Sequence, residues 1–197
     1  MRTILTIGHS TLPIEDFIRL LLDNGVEVVL DVRTVPRSRH NPQFSADSLA
    51  QSLYASGLLY ENRKELGGLR RPRKDSPNSA WRNVSFRGFA DFMQTEEFAR
   101  TVDALAVRAA RERCVLMCAE TLPWRCHRSL IADALTVRGS NVVHIMSPGK
   151  TIPHSLTPWA VVEGSRITYP AAAAGPHGPP AEERTPQPGY ARANTEC

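Results

Sequence analysis

Short β-branched apolar runs alternate with stretches of helical period along this chain, and that alternation admits few architectures. "TILTIG" is an apolar run ending in glycine, "VEVVLDVR" is a second that turns polar at Asp31, and "LLYEN", "CVLMC" and "NVVHI" complete five expected strands. Between the first two, Ile14, Phe17, Ile18, Leu21 and Leu22 recur at helical spacing after Pro13 and stop at Gly25. "SADSLAQSLYASG" predicts a second helix with Ser45 at its N-cap and Gly57 as its end. Two more helices are expected over about 86–93 and 95–112. A last one runs from Cys126 to Gly139, with Leu130, Ile131, Ala134 and Leu135 on one face.

The fold expected is α/β: a single three-layer α/β/α, Rossmann-like domain over residues 1–169, its sheet of about five strands mainly parallel. Strand order is not readable. "LTPWAVVEGSRITYP" predicts a small C-terminal hairpin within 156–169, turning at Gly164-Ser165. Residues 170–197 hold six Pro, seven Ala and three Gly, too little apolar surface to build a core, and read as a disordered tail.

No apolar run approaches the length of a membrane span, and "MRTILTIGHS" is too short for a signal-peptide core. A cytoplasmic protein with no membrane partner is the expectation. Cys114, Cys118, Cys126 and Cys197 are then reduced thiols rather than a disulfide scaffold. Charge is uneven. Residues 33–74 carry nine Lys/Arg against three acids, a larger surplus than the whole chain's +4. Residues 63–84, which overlap the end of this segment, read as a long basic loop. It is either an arginine-rich solvated surface or an attractor for phosphates and nucleic acid.

A parallel sheet makes a spatial prediction, because ligands bind outside the carboxyl ends of its strands. There the sequence places His9, Ser10 and Thr11 after the first strand, and Asp31, Arg33, Arg37, Arg39 and His40 after the second. Glu61, Asn62 and Arg63 follow the third, and Cys118 and Glu120 the fourth, with Cys126, His127 and Arg128 opening the last helix. Each has an ordinary alternative: His9 as a helix cap, Asp31 as a partner of Arg33 or of backbone N–H groups, Glu120 as a hydrogen-bonded carboxylate.

The stretch "CVLMCAETLPWRCHR" supports three readings. In the first, Cys118 or Cys126 is a nucleophile, with helix dipole and arginines favouring thiolate, His127 taking a proton and Glu120 orienting it. Six residues separate Cys118 from Arg125, one more than a phosphate-wrapping cysteine phosphatase loop has, so that chemistry is not expected. In the second, Cys118, Cys126 and His127 ligate zinc or iron, with Cys114 or His9 as a fourth ligand. In the third the thiols are packing residues, as Cys114 is taken to be, or form a reversible disulfide. Trp124 is either an anchor or a platform for a base; Trp81 is taken as packing.

"TIGHST", "DVRTVPRSRHNPQF", "LGGLR", "FRGFADFM", "MCAETLPWRCHR" and "VVHI", in this order over about residues 3–170, resemble domain of unknown function family 488. The resemblance implies an α/β sandwich and no established activity. It puts His9, Ser10, Asp31, Arg33, Pro36, Cys118, Glu120, Cys126, His127 and Arg128 on family motif positions. Relatives often have tyrosine where this chain has Phe89 and Phe92.

The leading functional expectation is a thiol-dependent transferase or hydrolase with one edge pocket. Cys118, Cys126, His127 and Glu120 would do the chemistry. His9, Ser10, Asp31, Arg33, Arg37, Arg63 and Arg128 would hold an anionic small molecule or a nucleic-acid-derived substrate. The rivals are a non-catalytic nucleic-acid-binding protein and a metal protein. No cofactor is specified.

Overall fold

The computed structural model describes residues 3–171. The expected tail lies outside the described residues apart from Pro170 and Ala171. The strands are β1 (Thr3–Gly8), β2 (Val28–Asp31), β3 (Leu59–Asn62), β4 (Cys114–Cys118), β5 (Asn141–Ser147) and β6 (Lys150–Pro153), followed by β7 (Val161–Glu163) and β8 (Arg166–Thr168). The helices are α1 (Ile14–Asp23), α2 (Ala46–Ala55), α3 (Val84–Phe92), α4 (Glu96–Arg108) and α5 (Arg128–Val137).

The main sheet has the order β3-β2-β4-β1-β5-β6 and is parallel except at β6, which pairs antiparallel with β5. It therefore has one strand beyond the five expected. "KTIP" is short, edge-located and ends in proline, so it carries no period of its own; Gly149, at φ 67°, makes the turn. β7 and β8 form the separate hairpin expected around Gly164-Ser165.

Glycines close α1, α2 and α5: Gly25, Gly57 and Gly139 take φ of 65°, 78° and 78°. Ser45 occupies the N-cap of α2 without a capping hydrogen bond, whereas Asn83 and Thr95 cap α3 and α4 with their side chains. On α1 the buried stripe is Phe17, Leu20 and Leu21; Leu22 is half exposed, one step off the predicted face.

Two cores flank the sheet. Phe17, Leu20 and Leu21 of α1 and Leu49 and Leu53 of α2 pack with Leu5, Val29 and Val115 on one face. Helices α3, α4 and α5 pack with Ile4, Val28, Leu30 and Leu116 on the other. β1 and β2 thus send their following helices to one face, while β4, which lies between them, sends α5 to the opposite face. Loops diverge on both sides of the carboxyl end of β4, so the topological switch point of the sheet falls at Cys118.

The basic 63–84 segment is folded against this frame. Buried Asp91 accepts from the Arg73 backbone N–H at 2.8 Å, the Ser76 hydroxyl at 2.6 Å and the Asn78 amide at 2.8 Å. A side chain at Gly88 would collide with the Arg70 carbonyl, so glycine in "RGFADF" lets the segment lie on α3.

Candidate functional site

The loop after β4 returns through a 3-10 turn, Pro123–Arg125, that delivers Cys126 and His127 to the start of α5. The Sγ atoms of Cys118 and Cys126 and a ring nitrogen of His127 lie within 4.8 Å of one another. Cys126 Sγ is 3.7 Å from His127 Nδ1, and His127 Nε2 is 3.1 Å from the Val32 carbonyl. A carbonyl accepts only, so Nε2 carries the proton, and Nδ1 is the ring nitrogen beside the sulfur. From sequence, this orienting role falls to Glu120. Its carboxylate instead accepts the Leu122 N–H at 3.3 Å on an exposed part of the loop.

Both thiols are nearly closed off, Cys118 at 8% and Cys126 at 4% exposure. The cover is "LGGLR": a side chain at Gly68 would overlap the His127 ring, and one at Gly67 would strike Thr34. Phe89 packs on the other side of the imidazole, ring centroids 5.1 Å apart. Gly68→Ala is therefore expected to push the His127 ring aside and destabilise the fold by about 1–3 kcal/mol. A urea-unfolding midpoint indistinguishable from wild type would contradict that packing.

Electrostatics separates the two thiols. Burial pushes the Cys126 thiol up, but a hydrogen bond from Cys118, the Arg128 charge and the Arg128 backbone N–H outweigh it and bring it down to about 7. The Cys118 thiol, spent as donor to Cys126 and buried, is driven well above its ordinary value. Burial lowers His127, keeping the ring neutral. Cys114 is fully buried and raised to about 11, in keeping with packing.

Arg128 is 1% exposed. Its Nη1 donates to the Glu120 carbonyl and its Nη2 to the Thr121 carbonyl at 2.7 Å, while Nε has no partner. Among the described residues it makes no ion pair. It braces the β4–α5 loop from inside. The β1 loop locks the same loop from above: His9 N–H donates to the Cys118 carbonyl and Ser10 N–H to the Ala119 carbonyl, each at 2.9 Å. Ser10 takes φ 48° to do so, and a side chain at Gly8 would collide with the Glu120 carbonyl.

A second polar set occupies the same edge on the α1/α2 face. Asp31, fully buried, accepts from Arg33 Nε at 2.8 Å, Nη2 at 2.6 Å, the Arg33 backbone N–H at 3.0 Å and the Tyr60 hydroxyl at 2.8 Å. Arg33 Nη2 also reaches the Phe44 carbonyl at 2.9 Å, and Nη1 lies 3.2 Å from His9 Nε2. His9 gives its Nδ1–H to the Ser10 carbonyl at 2.8 Å and stacks on Phe44 at 4.0 Å. Burial, then the Arg33 charge, hold it near pKa 4. Four of the five guanidinium N–H groups of Arg33 thus serve internal partners.

The structure brings Cys118, Cys126, His127 and Arg128 together and, beside them, His9, Ser10, Asp31 and Arg33. Arg63 pairs with Glu65 and, at 4.0 Å, with Glu61. Arg37 stands exposed on the β2 loop. Four contributors are not expected from sequence: the Val32 carbonyl, Tyr60, Phe89 and the Gly67–Gly68 pair. Only the glycine pair carries a signal, since adjacent glycines mark close approach.

An open α/β sheet with a Cys/Cys/His cluster at its switch point defines the class. The family model of Domain of unknown function DUF488 matches residues 13–135, and the chain belongs to that family. No curated protein and no solved structure matches it.

Proposed function

We propose that the protein is a thiol-dependent enzyme, a transferase or hydrolase, in which Cys126 is the nucleophile. The observation that carries this reading is Arg128. A guanidinium 1% exposed and without a carboxylate partner among the described residues calls for a nearby negative charge. Cys126 is the group beside it able to supply one: its sulfur sits at the start of α5, hydrogen-bonded by the Arg128 backbone N–H and by Cys118. Cys118 serves as the protonated donor, and His127 Nδ1 as proton acceptor. The Arg37, Arg39, Lys64 and Arg71 side chains, exposed around the edge, favour an anionic substrate.

A second reading has its own observation. Three ligand atoms within 4.8 Å, with the far nitrogen of His127 held by a backbone carbonyl, suit a thiophilic divalent metal. A zinc ion with two thiolates and a neutral imidazole is net neutral, however, and leaves Arg128 uncompensated. That difference ranks the thiolate first.

Iodoacetamide labelling across pH decides. In wild-type protein the labelling rate of Cys126 should rise with a midpoint near 7, be absent in Cys126→Ser, and shift to higher pH in Arg128→Met. A midpoint at the ordinary thiol value in wild type removes the nucleophile. Stoichiometric zinc by elemental analysis, with labelling only after chelation, establishes the metal instead.

A further inference from the structure

Three large apolar side chains stand exposed around the thiol cluster: Val35 at 46%, Leu69 at 60% and Trp124 at 56%. They come from the loops after β2, β3 and β4. Two contacts fix the first two beside the site. The Leu69 N–H donates to Thr34 Oγ1 at 3.2 Å, tying the β3 loop to the residue before Val35, and Gly68 lies against the His127 ring. Trp124 is two residues from Cys126.

The charges on the same loops divide into two sets. Arg33, Arg63 and Arg70 are engaged, with Asp31, with Glu65, and with the Phe92 ring at 3.3 Å, respectively. Arg37, Arg39, Lys64 and Arg71 are exposed and make no ion pair among the described residues. Of the acids at these loops, Glu61, Glu65 and Asp75 pair with Arg108, Arg63 and Arg73, leaving Glu120 exposed without an ion pair among the described residues. The loops at the site therefore expose an indole and two aliphatic side chains together with a surplus of cations.

Building on the thiolate reading, we infer that this surface binds single-stranded nucleic acid, with an unstacked base on Trp124 and backbone phosphates on Arg37, Arg39, Lys64 and Arg71. A cation surplus complements a phosphate chain, and an exposed indole complements a base face. A duplex hides that face, and three apolar side chains on separate loops make too small a patch for a protein core contact.

The test uses full-length Cys126→Ser protein, so that it needs no reactive thiol. Trp81 is buried and Trp159 half-buried, so quenching of tryptophan emission by a 12-nucleotide single strand reports chiefly on Trp124. Expected is saturable quenching by DNA or RNA single strands, weakening with salt at a log–log slope of about −3 for four phosphate contacts. Trp124→Ala, with unchanged far-UV circular dichroism, should weaken binding about 5- to 100-fold in a dye-labelled anisotropy assay. Arg37→Gln with Arg71→Gln should make the salt slope shallower by about 1.4. Absence of binding at low salt, equal affinity for duplex or heparin, or an unchanged affinity in Trp124→Ala would each overturn the inference. Normal Cys126 labelling with no binding sinks this inference alone, and binding without a low labelling midpoint sinks the thiolate reading alone.

Discussion

Replacing Arg33 by Met should destabilise the protein by about 3–5 kcal/mol. Asp31 is fully buried, and the substitution removes both side-chain donors that neutralise it, leaving the Tyr60 hydroxyl and one backbone N–H. It also frees the Phe44 carbonyl and His9 Nε2. An uncompensated carboxylate at the carboxyl end of β2 is costlier than no carboxylate, so Asp31→Leu combined with Arg33→Met should be more stable than Arg33→Met alone. Urea unfolding of the three variants against wild type measures this. A cost below about 1 kcal/mol for the single change would mean that Arg33 is not held by Asp31. It would then be free to grip a substrate anion, the role its position suggests from sequence. Stability thus bears on function here: the observed geometry makes Arg33 the brace of the α1/α2 side of the site.

What is legible in the sequence, and what is not, divides along the range of the interactions involved. The strands and helix ends are legible because they are local. Ile4, Leu5 and Ile7 announce a buried strand, and Gly25, Gly57 and Gly139 announce left-handed turns that no other residue takes cheaply. β6 is not, because "KTIP" becomes a strand only by pairing with Val143, His144 and Ile145. Strand order is hidden for the same reason, although it puts Cys118 between diverging loops. Within the site, Cys118, Cys126 and His127 are legible from residue type and spacing. The group that orients His127 is not, because a backbone carbonyl at Val32 has no signature in the sequence. Nor do residue types tell an occupied arginine from a free one. Arg33 and Arg37 look alike on paper, yet one is buried in four hydrogen bonds and the other faces solvent.

Acid should unfold this protein in a defined window. His9 falls from 6.5 to about 4, through burial first and the Arg33 charge second. His144 falls from 6.5 to about 3, through burial and then the neighbouring His154 and Arg128. Hydrogen bonding gives the fall at His144 a structural basis. Asp133, fully buried, takes His154 Nε2–H at 2.8 Å, the Thr157 hydroxyl at 2.7 Å and the Tyr169 hydroxyl at 2.8 Å. His154 Nδ1 then accepts from His144 Nε2–H at 3.0 Å, and His144 Nδ1 accepts the Thr6 hydroxyl at 2.7 Å. A proton added to His144 would face that hydroxyl, far from water. Both imidazoles are therefore neutral in the folded state while the unfolded chain takes up protons below about 6.5. Because the unfolded state then binds more protons, stability rises with pH through this window. It is full above about 6.5 and is lost as pH falls toward 4 and below. For His9 alone the loss is on the order of 3 kcal/mol, since each pH unit separating the folded from the unfolded titration is worth about 1.4 kcal/mol. His144 and His127 act in the same direction. Urea midpoints at about pH 7.5, 6, 5 and 4.5, which run from above this window into its lower part, should decline steadily. His9→Gln, which retains an acceptor for Arg33, should decline less steeply over the same range. A midpoint flat from about pH 7.5 to 5 would mean that these imidazoles take up protons without cost. The neutral, buried edge on which the Cys126 site is built would then not be how the protein holds itself together.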